Sequence, residues 1–168
     1  MTRRLVLMRH AKAEPYADTD FVRALTPRGL NDAEEAGRYL VEVGRVPDLA
    51  LVSTARRCRQ TWDQVRAGSA STAEAQMDQE LYASQPEVML EMLRLVEDEH
   101  ATVLLVAHNP GLAYLAYLLD DGEGDPEVVR NLLEGLPPAA LAIFEIEGSW
   151  ATLSPGGARI THFHVGGS

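Results

Sequence analysis

The sequence lacks several features that mark membrane, secreted and disulfide-stabilised proteins. Its 168 residues include one cysteine, Cys58, which excludes an internal disulfide and a cysteine metal cluster. Cys58 falls on the apolar spacing of a predicted helix, which favours a small core residue over a nucleophile. No apolar run approaches the roughly 20 residues that span a bilayer. The segment Met1–Arg4 precedes a run too short for a signal peptide, so we expect a cytoplasmic protein.

Positive charge is also scarce. The chain has 15 Lys and Arg against 25 Asp and Glu, a net charge of −10, and it has no basic run. A nucleic acid would be repelled by such a surface, so we expect no nucleic-acid partner. Several arginines nevertheless follow the first two apolar runs: Arg9, Arg56, Arg57 and Arg59. Local positive charge on an acidic protein favours a pocket for a small anionic group.

Three short apolar runs end abruptly in residues that can bind or attack an anion. The runs and their endings are Leu5–Met8 with Arg9 and His10, Leu49–Val52 with residues 53–57 (STARR), and Thr102–Ala107 with residues 108–111 (HNPG). Each run is short and lacks helical spacing, which predicts a strand buried on both faces.

Segments with helical periodicity lie between these runs. The first predicted helix runs from Pro27 to Gly44 with Thr26 as its N-cap, and the second is capped by Ser53 or Thr54 and ended by Gly68. A third helix begins at residues 84–86, a fourth is capped by Asn109–Pro110, and a fifth covers Pro126 to Leu133. Further predicted strands are Met77–Leu81, Ala139–Ile146, Trp150–Leu153 and Arg159–Val165. The alternation predicts a single domain over residues 1–168, a three-layer α/β/α fold with a mostly parallel central sheet.

Ligand sites in such sheets form beyond the carboxyl ends of the strands. The three endings should therefore bring together Arg9, His10, Arg57 and His108. Arginine offers planar, permanently charged donors that match the oxygens of a phosphoryl group. A neutral imidazole can attack phosphorus and hold the phosphoryl group covalently. One histidine would then be the nucleophile, and the other a donor to the transferring oxygens.

These motifs together resemble one family. Arg9–His10, residues 53–61 (STARRCRQT) and residues 108–110 (HNP) are similar to the histidine phosphatase (phosphoglycerate mutase-like) superfamily. The short length and the Leu25–Gly29 element (LTPRG) most resemble its SixA-type branch of phosphohistidine phosphatases. The resemblance covers the chain from Leu5 to about Leu119 and implies the phosphoglycerate mutase-like fold.

The resemblance also implies roles for individual residues. His10 matches the phosphorylated nucleophile, Arg9 and Arg57 match the phosphate-binding arginines, and His108 matches the second histidine of the pocket. It implies a phosphatase that needs no metal and no other cofactor. The implied substrate is a phosphorylated protein, histidine-phosphorylated before others, or a small phosphorylated metabolite.

The sequence departs from the family pattern at two points. Ala11 stands where the family usually has glycine, and alanine would be strained there if the position needed a positive φ. The proton donor is not clearly placed: the candidates are Glu14, Asp18, Asp20 and Glu80, and we favour Asp20 or Glu14 in the loop after His10.

Other functions stay open at this level. The chain could be a mutase or small-molecule phosphatase of the same superfamily, or a phosphate-binding module without turnover. His162 and His164 alternate on a predicted strand and share one face, so they could in principle ligate zinc together with His10 or His108. No carboxylate or cysteine completes a metal-ligand spacing there, which disfavours zinc. The oligomeric state is not predicted.

Overall fold

The apolar runs form the centre of one sheet in the computed structural model, which describes all residues from Met1 to Ser168. The strands are β1 (Thr2–Arg9), β2 (Leu49–Ser53), β3 (Glu74–Asp78), β4 (Thr102–Ala107), β5 (Ala140–Glu147) and β6 (Arg159–Val165). The helices are α1 (Pro27–Glu42), α2 (Arg56–Ser69), α3 (Pro86–Arg94), α4 (Gly111–Leu119) and α5 (Pro126–Leu133). Short 3₁₀ helices lie at Asp20–Val22, Gln79–Leu81 and Trp150–Thr152.

The sheet has the strand order β3-β2-β4-β1-β5-β6. Strands β1 to β4 pair in parallel, and β5 and β6 add antiparallel at one edge. Alternate residues of β1 face opposite sides: Val6 and Met8 pack with α1 and α2, whereas Leu5 and Leu7 pack with α3, α4 and α5. This is the predicted α/β class, with a helical layer on each face of a mostly parallel sheet.

Helix α1 begins as its sequence predicts. The Thr26 hydroxyl accepts a hydrogen bond from the backbone N–H of Gly29 at 2.9 Å, and Pro27 occupies the first turn. Gly29 lies so close to the chain after β1 that a Cβ would overlap the carbonyl oxygen of Lys12. The absence of a side chain at Gly29 therefore lets α1 support the loop that follows His10.

Helix α2 differs from its prediction at both ends. Neither Ser53 nor Thr54 caps it, because Ala55 occupies the N-cap position without a side-chain hydrogen bond. The helix also continues past Gly68 to Ser69 and ends at Ala70, which has a φ of 54°. A Cβ on Gly68 would overlap the carbonyl oxygen of Glu34, so this glycine permits close packing of α1 on α2 instead of ending the helix.

Two predicted strands are also wrong. Strand β3 lies earlier than Met77–Leu81, because the Asp78 carboxylate accepts from the backbone N–H of Glu80 at 2.8 Å and starts a 3₁₀ turn. Residues 150–152 also form a 3₁₀ turn, since the buried Trp150 indole donates to the carbonyl of His100 at 2.9 Å and packs into the core. No helix of the structure is both long enough and apolar enough to cross a bilayer.

Candidate active site

The register of the parallel strands brings the three sequence motifs to one edge of the sheet. Arg9 in β1 lies opposite Ala107 in β4, and Val52 in β2 lies opposite Val106. The residues that come next therefore leave the sheet side by side. The imidazole rings of His10 and His108 lie 5.3 Å apart between centroids.

His10 is buried, with 8% of its surface exposed, and its ring has a defined tautomer. Nδ1 lies 2.8 Å from the carbonyl oxygen of Ala11. Because a carbonyl can only accept, Nδ1 must hold the proton, and Nε2 keeps its lone pair. Burial, together with the positive charges of Arg57 and Arg9, lowers the pKa of His10 to about 4, although the hydrogen bond with the Ala11 carbonyl opposes the shift. The ring is therefore neutral at pH 7, as a nucleophile must be.

His108 has a different set of partners. Its Nε2 lies 2.8 Å from the hydroxyl of Ser53, and its Nδ1 lies 3.3 Å from Nη2 of Arg57. Burial, and after it the positive charge of Arg57, lowers the pKa of His108 to about 3. Cys58 lies beside the same ring, with Sγ 3.5 Å from Nε2. Burial raises the pKa of the Cys58 thiol to about 12, which agrees with a packing role.

Arg57 is buried and connects the histidines to the loop after β1. Its Nη1 donates to the backbone carbonyl of Asp20 at 2.8 Å, and its Nη2 donates to the Asp20 carboxylate at 3.0 Å. Its Nε is buried without a hydrogen-bond partner. A buried guanidinium donor without a partner is costly, which is consistent with space for an anion beside it.

Arg9, the last residue of β1, contacts a different segment of the chain. Its Nη1 donates to the carbonyl oxygen of Leu136 at 3.1 Å, and the side-chain amide of Asn109 donates to the same oxygen at 2.9 Å. The Nε of Arg9 is also buried without a partner. Burial lowers the pKa of Arg9. Arg9 is close enough for its charge to act on His10, and contact with a phosphate stays a prediction.

Of the four candidate proton donors, only Asp20 has a carboxylate in contact with a predicted phosphate-binding residue, Arg57. It accepts from Tyr82, from Arg23 at 2.9 Å and from Arg57. The hydrogen bond from Tyr82, with those from the two arginines, holds the pKa of Asp20 well below its usual range. Hydrogen bonds and ion pairs do not connect the carboxylates of the other three, Glu14, Asp18 and Glu80, to the site.

A cavity of about 340 Å³ opens beside this cluster. Asp20, Arg57 and His108 line one end of it, and Tyr82 and Tyr114 form part of its wall. The ring of Tyr82 stands edge-on to His108, with centroids 5.5 Å apart. The cavity gives space for the part of a substrate that remains outside the phosphate position.

Sequence reasoning missed three residues that contact the site: Ser53, Arg23 and Tyr82. Ser53 had an available signal, because it ends β2 at the same edge of the sheet where His10 and His108 follow their strands. Arg23 and Tyr82 had none, since both lie outside the strand endings and reach the site only through the folded loops.

The alanine that replaces the usual glycine is accommodated without strain. Ala11 is fully buried and is not among the residues with positive φ. Its backbone N–H donates to the hydroxyl of Thr61 at 3.0 Å. The departure at Ala11 therefore does not disturb the chain next to His10.

The two histidines of β6 do not join the site. His164 stacks on Tyr39 with centroids 3.9 Å apart, and its Nε2 lies 2.6 Å from the Glu35 carboxylate. His162 lies on the same side, 6.5 Å from Tyr39. No group of three His, Cys, Asp or Glu residues has an arrangement that could hold a metal ion, so the geometry gives no support to the zinc alternative.

Comparisons with known proteins agree with this architecture. The family model of the histidine phosphatase superfamily (branch 1) matches residues 5–85. An uncharacterised protein of Mycobacterium tuberculosis is 36% identical over 160 residues, which cover 94% of this chain and 99% of that protein.

Two solved structures resemble the chain over nearly its whole length. A candidate phosphohistidine phosphatase SixA from Nakamurella multipartitia is 30% identical with a TM-score of 0.87, covering 100% of this chain and 98% of that one. A candidate SixA from Agrobacterium tumefaciens is 28% identical with a TM-score of 0.81, covering 97% of each chain. The chain belongs to the histidine phosphatase superfamily and shares the α/β fold of these SixA-type relatives.

Proposed function

We propose that this protein is a phosphatase that transfers a phosphoryl group to His10 and then to water. One observation supports this most strongly: the His10 ring, whose Nδ1 is held by the Ala11 carbonyl, lies 5.3 Å from the ring of His108, which Arg57 contacts in turn. A neutral imidazole and buried cationic donors are the groups that a covalent phosphohistidine route needs.

We propose histidine-phosphorylated protein as the substrate class. The support is the resemblance to the SixA-type proteins, of which the Nakamurella protein is named as a candidate phosphohistidine phosphatase. The cavity of about 340 Å³ could also receive a single side chain bearing a phosphoryl group. A protein substrate would then present its phosphohistidine at the mouth formed by Tyr82 and Tyr114.

In the first chemical step, His10 Nε2 attacks phosphorus. A new N–P bond forms while the bond from phosphorus to the substrate nitrogen or oxygen breaks, and the leaving group takes the bonding electron pair. Arg57 and Arg9 would bind the equatorial oxygens, whose charge is spread in the transition state. They would also hold phosphorus close to His10, which converts a random encounter into a positioned reaction.

In this structure, the carboxylate of Asp20 occupies donors of Arg57 that a phosphate would use. An entering phosphate dianion would draw Arg57 away from Asp20 and add negative charge nearby. Both changes raise the pKa of a carboxyl group. We therefore keep Asp20 as the candidate proton donor: it would protonate the leaving group once the site is occupied.

In the second step, water attacks phosphorus of phospho-His10. The N–P bond breaks, its electron pair returns to Nε2, and Asp20 takes the proton from the attacking water. Phosphate then leaves, and Arg57 is free to bind Asp20 again. No metal enters either step, so we expect activity to persist in a chelator.

The decisive experiment compares wild type with His10→Ala in phosphate release from a histidine-phosphorylated protein. We expect a loss of at least about a thousandfold, because the nucleophile is removed. His100→Ala is the matched control, since His100 lies away from the site with its ring near Asp48. Acid-labile phosphate trapped on His10 of the wild type would support the covalent step directly.

A substrate panel tests the alternatives. Equal activity of wild type and His10→Ala would refute the proposal. A preference of about a hundredfold for a small phosphorylated metabolite, which corresponds to about 2.7 kcal/mol, would favour a small-molecule phosphatase or mutase. Binding of phosphate or a phosphopeptide without hydrolysis would indicate a binding module.

A further inference from the structure

Ser53 follows a strand directly into the site, but it does not cap the helix that comes next. The residue is fully buried. Its hydroxyl lies 2.8 Å from His108 Nε2, whereas the backbone N–H of Ala55 approaches it only at 3.4 Å. The main polar partner of Ser53 is therefore the imidazole of His108.

The hydrogen-bond partners of His108 determine which ring nitrogen carries the proton in the free protein. A guanidinium group has only donors, so the contact from Arg57 Nη2 at 3.3 Å requires a lone pair on His108 Nδ1. In a neutral ring the proton is then on Nε2, and Nε2–H donates to the Ser53 hydroxyl. The opposite tautomer would place two N–H groups against each other.

A bound phosphate would reverse this requirement. Phosphate oxygens that meet Arg57 and His108 are acceptors, and a lone pair on Nδ1 would repel them. His108 can donate to these phosphate oxygens only with a proton on Nδ1. Moving the one proton of the neutral ring to Nδ1 meets this requirement without a second proton. The ring of the free protein resists a second proton, because it is buried beside Arg57, His10 and Arg23, with Asp20, Tyr82 and Cys58 as its other polar neighbours.

We propose that Ser53 is a positioning residue that lets His108 change tautomer when an oxyanion binds: its hydroxyl accepts from Nε2–H in the free protein and donates to Nε2 in the anion complex. A serine hydroxyl can do both, since it has one donor hydrogen and two lone pairs. This inference rests on the proposed function, because it assumes that the anion binds between His108 and Arg57.

The contrast with His10 supports this assignment. The Nδ1 of His10 faces the Ala11 carbonyl, which can only accept, so the lone pair of His10 stays on the nucleophilic nitrogen in every state. His108 instead faces a hydroxyl that can reverse its hydrogen bond. A nucleophile needs a permanent tautomer, whereas a residue that meets a guanidinium and later an oxyanion needs both.

The test uses the full chain labelled with ¹⁵N-histidine and titrated with sulfate, a tetrahedral dianion that the enzyme cannot hydrolyse. Nitrogen chemical shifts distinguish the two neutral tautomers from the imidazolium, and His108→Gln assigns the signals. We expect Nε2–H in the free protein and Nδ1–H with sulfate bound, while His10 keeps its Nδ1 proton throughout. An unchanged tautomer on sulfate binding, or an imidazolium in the bound state, would overturn the proposal.

Variants give a second measurement. Ser53→Ala removes the hydroxyl, and we expect about a tenfold lower kcat, the effect of one lost hydrogen bond, with loss of the sulfate-induced switch. Ser53→Thr retains the hydroxyl and should restore the switch. Ser69→Ala is the matched control, because Ser69 is also buried but bonds only to local backbone. A normal switch in Ser53→Ala would contradict the role of Ser53.

The two proposals fail in different ways. If His10→Ala retains full activity, the phosphohistidine route is wrong whatever the tautomer does. If sulfate binds and His10 is essential but His108 keeps its tautomer, only the role of Ser53 is wrong. If sulfate perturbs neither histidine, the anion site is absent and both proposals fall.

Discussion

The protein has two pairs of neighbouring histidines, and their surroundings differ in charge. His10 and His108 lie side by side at the ends of parallel strands. Arg57 contacts His108 and also donates to the carboxylate of Asp20. His162 and His164 share one face of an antiparallel edge strand, where His164 meets Tyr39 and Glu35. Arginine side chains therefore lie beside the first pair, whereas one ring of the second pair contacts a carboxylate.

This difference decides what each pair can do. Burial of His10 and the charges of Arg57 and Arg9 favour its neutral form. In the proposed function the same charges would attract a phosphoryl group to it. The Glu35 carboxylate instead forms a hydrogen bond with Nε2 of His164, and its negative charge would repel an anion. The number of histidines in a cluster is therefore a poor guide to chemistry, and the charge and hydrogen-bonding capacity of their neighbours is a better one.

Among changes to the neighbours of the two pairs, the largest expected effect comes from removing Arg57. We expect Arg57→Ala to lower kcat by about a hundredfold to a thousandfold, the range found for loss of one transition-state donor. The control is Arg45→Ala, because Arg45 lies near His162 and pairs with Glu145 at 3.5 Å. Steady-state kinetics on a histidine-phosphorylated protein measure both. Equal losses in the two variants would contradict the distinction between the pairs.

A second effect concerns the stability of the protein as the pH falls. Burial lowers the pKa of His10 to about 4 from an ordinary 6.5, so the unfolded chain binds a proton that the folded chain does not. The free energy of unfolding should therefore decrease as the pH falls from about 6.5 toward 4, with His10 contributing about 1–2 kcal/mol between pH 7.5 and pH 5.

Urea denaturation at several pH values measures this dependence. His10→Gln should make it less steep without abolishing it, because His108, whose pKa is lowered to about 3, still contributes. His100→Gln is the control and should leave the dependence as in wild type. A free energy of unfolding that His10→Gln leaves equally pH-dependent would show that His10 is not held neutral by the fold.

The smallest expected effect comes from the second pair. The Glu35 carboxylate accepts from His164 and from the backbone N–H of Gly167 at 2.8 Å. We expect Glu35→Ala to lower the free energy of unfolding by about 1–2 kcal/mol without a change in kcat. Glu34→Ala is the control, since its exposed pair with Arg38 should contribute only a few tenths of a kcal/mol. A loss of activity in Glu35→Ala would give the β6 histidines a role in catalysis.

Much of the fold follows from local patterns. The apolar runs that form β1, β2 and β4 are visible in the sequence because strands buried on both faces need continuous apolar residues. The start of α1 is equally visible, since Thr26 and Pro27 satisfy its first turn locally. Trp150 was assigned to a strand because its apolar neighbours resemble one, although its indole is paired with His100 on another segment.

The residues of the candidate site also divide into those that the sequence could predict and those that it could not. Arg9, His10 and His108 could be proposed because each directly follows an apolar run. Arg23 and Tyr82 could not, because both are connected to the site through Asp20: Arg23 from the same loop and Tyr82 from a loop far along the chain. The sequence predicts Ser53 or Thr54 as a helix cap, because serine and threonine before a helix usually have that role, and only the position of His108 shows the actual partner of Ser53.

By itself, the sequence determined which residues end the central strands, and hence that histidines and arginines would gather at one edge of a parallel sheet. The register between β1, β2 and β4, the salt bridge between Asp20 and Arg57, and the tautomers of the two histidines were decided only by the tertiary structure. The reason is physical: strand formation depends on neighbours along the chain, whereas the protonation and orientation of a buried side chain depend on the groups that folding places around it.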